Sequence, residues 1–406
     1  MPASAFAAVE MAPRDPILGL TESFNADTHA TKVNLGVGVY FDDSGTIPLL
    51  AAVKQAEKAR LEAMPSRGYQ PIDGPAAYNQ AVQKLLFGQD SSLLEEGRVL
   101  TIEALGGTGA LKVGADYLRR LLPEATVFIS DPSWENHRAL FEYAGFAVET
   151  YPYYDAATRG VNFAGMKSGL SALPAGSIVV LHACCHNPTG ADLDEAQWRE
   201  IIDVLSARGL VVFLDMAYQG FADGIDEDAL ALKLLAASGL QFLVASSFSK
   251  SFSLYGERVG ALSVVTGSRD EAARVMSQIK RVVRTNYSSP PTHGGAVVTA
   301  VLSSPDLRQM WEDELGEMRG RIRAMRVSLV DKLKGKGASQ DFSFIARQRG
   351  MFSYTGLSVE QVDRLRDEYG IYAVGTGRIC VAALNTRNID YVADAIASVV
   401  EQRAPG

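Results

Sequence analysis

Cysteine is scarce in this sequence: three in 406 residues, two adjacent (Cys184, Cys185) and one distant (Cys380). Cysteines so few and so placed make no disulfide framework, and a reducing cytoplasm is the expected setting. Basic charge is also short, with 39 Lys and Arg against 47 Asp and Glu, a net charge of −8 and a pI near 5.3. That balance argues against nucleic acid and anionic membrane as partners, and no basic run of the kind that tracks a phosphate backbone is present. No apolar run reaches transmembrane length. Residues Met1–Glu10 lack a basic segment followed by a long apolar one, so no secretory signal is expected. Internal repeats and low-complexity tracts are missing too. What remains is a globular composition, 47% hydrophobic with a mean hydropathy of +0.02. A chain of 406 residues exceeds one simple core, so two domains are expected.

Pro2, Pro13 and Pro16 punctuate a small-residue N-terminal stretch, which reads as an extended arm lying on another surface. Lys32–Tyr40 is a short strand opening into a glycine-rich turn, where Gly36 and Gly38 permit close approach to a ligand; a simple turn would account for them equally well. Ala51–Ala63 has helical composition, and Tyr69–Gly74 is loop by its proline and glycine. Ala104–Lys112 is a glycine turn leading into a helix, suited to a phosphate on free N–H groups, although its spacing matches neither the P-loop nor the dinucleotide fingerprint. Strands over Ala125–Ser130, Ser177–His182 and Leu210–Leu214 alternate with helices over Trp134–Ala144 and Asp194–Ala207. Continuously apolar strands between helices imply a sheet covered on both faces, hence α/β and largely parallel. Pro305–Lys334 is one long helical pattern linking to a C-terminal unit, which holds Met351–Tyr354, a helix over Val359–Tyr369, a strand over Ile379–Ala383 and a closing helix from Ile389.

The chemistry centres on Ser246–Gly260. The apolar strand Phe242–Ala245 delivers Lys250 into a serine-rich turn, with Arg258 eight residues beyond. A lysine just past a buried strand loses hydration, which lowers its pKa and frees its amine for Schiff-base formation. The serines and the Arg258 fork suit a phosphate. An imine-forming lysine beside a phosphate cradle points to pyridoxal phosphate. That cofactor needs a carboxylate at its pyridine nitrogen, and Asp215 sits at the carboxyl end of a buried strand, where α/β sheets bind ligands. Alone, Asp215 would read as a cap or turn residue; with Lys250, Arg258 and the Gly106–Gly109 turn it reads as part of one site. Tyr218 could reach the cofactor's phenolic oxygen, and Trp134 either stacks on its ring or packs in the core. His182–Gly190 offers histidines and two cysteines, but adjacent cysteines on an extended strand face opposite ways and the spacing fits no structural zinc pattern, so no metal is expected. Asn187-Pro188-Thr189-Gly190 is instead a turn that places the Asn187 amide in the crevice.

Taken together, His186-Asn187-Pro188-Thr189-Gly190, Asp215-Met216-Ala217-Tyr218-Gln219-Gly220 and Ser247-Phe248-Ser249-Lys250 through Gly260 resemble the class I pyridoxal-phosphate aminotransferases, nearest their aspartate and aromatic-amino-acid (tyrosine) branch. The resemblance implies that Lys250 carries the cofactor imine and shuttles the proton, that Asp215 pairs with the pyridine nitrogen with His137 behind it, and that Tyr218 and Asn187 meet the phenolic oxygen while Trp134 stacks on the ring. Gly107, Thr108, Ser247, Ser249 and Arg258 would hold the phosphate, joined by Tyr69 of a second subunit. Arg378 would bind the substrate α-carboxylate with Gly38 and Asn187, and Arg284 would cross from the second subunit to a side-chain carboxylate. A homodimer with shared sites follows. So does a fold with an intersubunit arm (1–14), a small domain from 15–45 and 311–406, and a large cofactor domain from 46–310. The implied reaction moves the amino group of an aromatic amino acid (tyrosine, phenylalanine), of aspartate, or of both, to 2-oxoglutarate. Ser289 stands where the aspartate-specific pattern has asparagine, and the surrounding run looks more like the aromatic branch, whereas Gly36–Tyr40 looks more like the aspartate branch. A strict aspartate transferase is the alternative. A decarboxylase or lyase on the same fold fits poorly with Arg378 and Arg284 together, and a silent binding protein fits poorly with intact Lys250, Asp215 and Arg258.

Overall fold

The computed structural model describes residues 4–15 and 17–401; the first three residues of the expected arm, Pro16, and residues 402–406 of the C-terminal unit lie outside the described residues. Seven strands build the central sheet: β1 (Val99–Leu105), β2 (Thr126–Asp131), β3 (Ala147–Pro152), β4 (Ile178–His182), β5 (Val211–Met216), β6 (Phe242–Ser247) and β7 (Val259–Val265). Their order is β1-β7-β6-β5-β4-β2-β3. Neighbours pair in parallel except β7, which is antiparallel to both β1 and β6. The architecture is the α/β one that the alternation of apolar strands and helices implies.

Burial on both faces explains the unbroken apolar strands. On β5, Val212, Leu214 and Met216 pack into one core and Phe213 into the other. Each such side chain, fully buried, stabilises by about 1.5–3 kcal/mol. Helix α1 (Gly106–Leu121) and helix α3 (Arg269–Asn286) cover the Phe213 face with Leu111, Leu118, Ile279 and Val283; between them in the chain lies α2 (Glu135–Tyr143). The opposite face takes the Glu195–Arg208 helix, which buries Trp198, Ile201, Ile202 and Leu205 as its periodicity predicts. Asp194 and Gln197 close a capping box at its start, and Gly209 (φ 60°) ends it in the left-handed region.

Helix α4 (Pro305–Gly335) runs 31 residues and buries Trp311, Leu315, Met318, Ile322, Met325 and Leu329 along one stripe. The expected division between 310 and 311 therefore falls within a continuous helix. Near the termini, Val33–Asn34 pairs in parallel with Ile371–Tyr372, and Phe352–Tyr354 pairs antiparallel with Arg378–Cys380. The backbone of Cys380 donates to Leu35 at 2.7 Å, which sets the Gly36–Gly38 turn beside Arg378. Two expectations need correction. The strand expected over Ile379–Ala383 is only Arg378–Cys380, because its partner has three residues; the chain then tightens into a 3₁₀ turn over Val381–Ala383. The glycine turn before α1 is almost absent, since the helix begins at Gly106 itself. Among the described residues no helix is long and apolar enough to cross a membrane.

Candidate active site

Parallel strands align their carboxyl ends, and the site is assembled there. β4 and β5 pair His182 with Asp215, β6 ends at Ser247, and β1 feeds α1. The cleft above them, about 190 Å³, is lined by Gly38, Gly107, Thr108, Trp134, Asn187, Asp215, Tyr218, Ser247, Ser249, Lys250, Arg258 and Arg378.

Lys250 is partly buried on the cleft floor, and the loss of water around its amine pulls its pKa down from 10.5 to about 8; Asp215 opposes the shift, while Arg258 and Arg378 add to it. Its ammonium lies 5.2 Å from the centre of the Tyr218 ring. Asp215 is 8% exposed. Burial would raise its pKa, but the hydrogen bond from His137 and the nearby Lys250 hold it below the ordinary carboxylate value. An anion is thus kept in the cleft floor.

Behind Asp215 runs a chain of donors. Burial first, then neighbouring histidine charge, drives His182 well below its usual pKa, so it is neutral. Asn187 N–H donates to His182 Nδ1 (3.4 Å), His182 Nε2–H to Ser133 Oγ (3.2 Å), Ser133 O–H to His137 Nδ1 (2.9 Å), and His137 Nε2–H to Asp215 Oδ2 (2.7 Å). The direction is assigned from the network, and every donor then points toward the carboxylate. A second chain runs from Thr189 Oγ1 through His186 to Ser130, whose hydroxyl donates to Pro132 O. Tyr153 stacks on His186 with ring centres 4.0 Å apart.

On the opposite side is a cradle for an anion. Gly106 sits at φ +68°, and a Cβ there would meet the Arg258 guanidinium at 2.5 Å, so glycine leaves the space that lets Arg258 reach the first turn of α1. Arg258 Nη1 donates to Ser249 Oγ at 3.1 Å and to Tyr255 O at 2.9 Å. The exposed backbone N–H groups of α1 at Gly107 and Thr108, the serine hydroxyls and the guanidinium converge as donors. Arg378 is 2% exposed and held by Asn187 Oδ1 (3.0 Å from Nη1) and Gly36 O (2.7 Å from Nη2). Those bonds use two of a guanidinium's five N–H donors, and Nε has no partner, so a fork remains for a carboxylate.

Twelve expected residues are brought together in this cleft, and His137 lies directly behind it. Tyr69 and Arg284 are not: Tyr69 is 100% exposed, and exposed Arg284 bonds to the nearby Ser288 hydroxyl. Sequence reasoning missed His182, Tyr255, Phe352, Leu111 and Ile17 as lining residues. His182 had a signal, since it ends β4 as Asp215 does on β5; Phe352 and Ile17 arrive from distant segments and had none. The reason given against a metal at Cys184 and Cys185 also fails. β4 stops at His182, and Cys185 turns at φ +51°, so both sulfurs and an Asp228 oxygen lie within 4.8 Å of one another. The Asp228 carboxylate already accepts from the N–H groups of Gly220, Ala222, Asp223 and Gly224, so its role is to fix the loop after Tyr218.

Comparison with known proteins places this geometry. Residues 30–396 match the family described as aminotransferase class I and II. The aspartate aminotransferase of Pseudomonas aeruginosa is 68% identical, covering 98% of this chain and all of that protein; the aromatic-amino-acid aminotransferase of Escherichia coli is 53% identical over 97% of this chain and all of its own length. A solved aromatic-amino-acid aminotransferase from Burkholderia pseudomallei, covalently bound to pyridoxal phosphate, superposes with a TM-score of 0.96 at 68% identity, covering 98% of this chain and 100% of that one. With a partly buried lysine, an aspartate paired to histidine and two guanidinium sites in the same cleft, the chain belongs to the class I and II aminotransferases.

Proposed function

We propose that this protein is a pyridoxal-phosphate aminotransferase that passes the amino group of aromatic amino acids and of aspartate to 2-oxoglutarate in ping-pong fashion, as a cytoplasmic homodimer with shared sites. The observation that carries the reading is Lys250: a desolvated amine with its pKa at about 8, in one cleft with an Asp215 whose pKa is held below the ordinary carboxylate value and with two arginine forks. Those groups fit pyridoxal phosphate, since the cradle at Gly107, Thr108, Ser247, Ser249 and Arg258 carries backbone N–H groups, hydroxyls and a guanidinium that can donate to a phosphate, and the Asp215 carboxylate can accept from a ring N–H. When bound, the cofactor supplies an aldehyde for the amino group and a ring that withdraws electrons from the substrate carbon.

The remaining work belongs to the chain. Lys250 would hold the cofactor through its amine and, once freed, would move the proton at the substrate Cα. Asp215, backed by the Asn187–His182–Ser133–His137 chain, would hold a proton on the ring nitrogen. Tyr218 and Asn187 would meet the phenolic oxygen, and Trp134 would stack on the ring. Arg378 takes the α-carboxylate. Ile17, Leu111, Trp134, Tyr255 and Phe352 give apolar walls suited to an aromatic side chain. A second carboxylate needs a further cation, and among the described residues the cleft's arginines are Arg258 and Arg378. Arg284 and Tyr69 of a second copy supply the missing contacts in the dimer. In that dimer, residues 1–14 form the arm, 15–45 and 311–406 the small domain, and 46–310 the large domain. Supporting this, Phe6, Val9 and Met11 are 80%, 73% and 96% exposed in the single chain.

The test is the absorbance change of cofactor-loaded protein on mixing separately with phenylalanine, tyrosine and aspartate, then its reversal by 2-oxoglutarate, with molar mass measured by sedimentation. Conversion by both donor classes in a dimer is expected. Conversion by aspartate alone establishes the strict aspartate transferase instead, and conversion by none refutes the reading.

A further inference from the structure

Arg326 is one of the largest fully buried side chains, 1% exposed on the inner face of α4. Among the described residues it makes no ion pair. Its guanidinium is instead wrapped by backbone: Nη2 donates to Gly350 O (2.7 Å) and Phe352 O (2.5 Å), and Nη1 to Ile345 O (3.4 Å) and the Ser353 hydroxyl. Burial lowers its pKa to about 10, which leaves it cationic at neutral pH. A buried charge satisfied by neutral dipoles, three carbonyls and one hydroxyl, is costly, and its geometric consequence is to hold those groups in one place.

The segment it holds is the one that presents Phe352 to the cleft. The Phe352 ring lies 4.2 Å from the Arg378 guanidinium carbon and 5.8 Å, edge-on, from the Tyr218 ring. Its far edge fills the space beside Gly38, where a Cβ would meet Phe352 Cζ at 2.7 Å. Five residues earlier on α4, Arg321 donates to Tyr40 Oη (2.9 Å), Leu384 O (2.8 Å) and Ala382 O (3.2 Å), which ties the helix to the segments that follow Gly38 and Arg378 in the chain. One helix therefore anchors the Phe352 segment through Arg326 and the chain after Gly38 and Arg378 through Arg321.

We propose that Arg326 is a positioning residue for the substrate carboxylate: by pinning the Phe352 backbone from α4, it holds the Phe352 ring on the face of Arg378 and so orients the guanidinium edge that faces the cleft. This rests on Arg378 being the carboxylate anchor. A cation–π contact of this kind fixes orientation as well as adding attraction.

The experiment uses loaded enzyme and four variants: Arg326→Met, Arg326→Lys, Phe352→Leu and the double Arg326→Met/Phe352→Leu, with Arg378→Leu as a reference. Arg326→Met raises KM for both the amino acid and the oxo acid roughly tenfold or more, changes kcat much less, and leaves cofactor affinity and the visible spectrum unaltered. Arg326→Lys recovers part of the loss. The double variant is no worse than Phe352→Leu, because both act through one ring. Should Arg326→Met fail to fold, Ser353→Ala removes one acceptor and gives a smaller KM rise in the same direction. Multiplicative effects in the double variant, or unchanged KM in Arg326→Met or Ser353→Ala, overturn the proposal while Arg378→Leu still destroys carboxylate binding. An unchanged KM in Arg378→Leu overturns the anchor itself, and with it the proposal.

Discussion

Lys250→Met in the cofactor-free protein separates the electrostatic cost of a buried ammonium from its packing. The folded chain holds this amine near a pKa of about 8, against 10.5 when solvated. Each unit is worth about 1.4 kcal/mol, so burying the charged form costs about 3 kcal/mol. The sign follows from proton binding. Below pH 8 both states carry the proton and the full penalty stands. Between about 8 and 10.5 the unfolded chain binds more protons than the folded one, so stability of the native protein rises with pH. Above 10.5 both forms are neutral and the penalty is gone.

The assay is urea unfolding of both cofactor-free proteins at fixed protein concentration, from pH 7 to 10.5. Subtracting the variant's stability from that of the natural chain cancels every other titrating group that the substitution leaves alone. Asp215 does not titrate in this window, because its pKa lies below the ordinary carboxylate value. Lost packing of the lysine stem adds only a constant. The difference should therefore climb by about 3 kcal/mol in favour of the natural chain as pH rises through the window. A flat difference would mean that the amine titrates like a solvated lysine, and the nucleophile assignment would lose its physical basis.

Three further outcomes follow from the same geometry. Asp215→Asn should cut turnover by about 10²–10⁴-fold, while Asp215→Glu, which keeps the charge, should be milder; equal losses in steady-state kinetics would remove the electrostatic role. His137→Phe deletes the 2.7 Å bond that helps hold the Asp215 pKa down, so the acid limb of the kcat/KM profile should move to higher pH, and an unmoved limb would show that His137 is only packing. Arg284→Leu should lose dicarboxylate activity by roughly tenfold to several hundredfold while phenylalanine turnover changes little, and mixing it with Lys250→Ala chains should regenerate activity. Failure to recover after verified subunit exchange would place Arg284 outside the neighbouring site.

The parts of the site that were legible in sequence are those carried on strand ends and helix starts. Lys250, Asp215 and the α1 start at Gly106–Thr108 each follow an apolar run, so a residue's distance from the run fixes where it emerges. The periodicity of α4 was equally plain, because Trp311 through Leu329 keep one face. Phe352 was hidden for a physical reason: its place beside Arg378 depends on Arg326, 26 residues earlier, and on the absence of a side chain at Gly38. No local pattern encodes such a three-body contact. The Cys184–Cys185 argument failed differently, because it assumed strand geometry one turn beyond where β4 ends.

The charges of the cleft explain why these particular groups occur together. Lys250, Arg258 and Arg378 face a single carboxylate, Asp215, so one chain presents a cationic excess. Both arginines push the Lys250 pKa down, and Asp215 pushes it up. An anion in the α1 cradle offsets Arg258, and a carboxylate on Arg378 offsets the second guanidinium. Each binding event thus removes a repulsion from the amine and raises its affinity for a proton. On the proposed roles, the lysine would be a good nucleophile while the carboxylate site is empty and a better base once that site is filled, the order in which an attaching group and then a proton shuttle are needed. The same two guanidiniums therefore serve both binding and timing, and the His137 chain keeps Asp215 from absorbing the change.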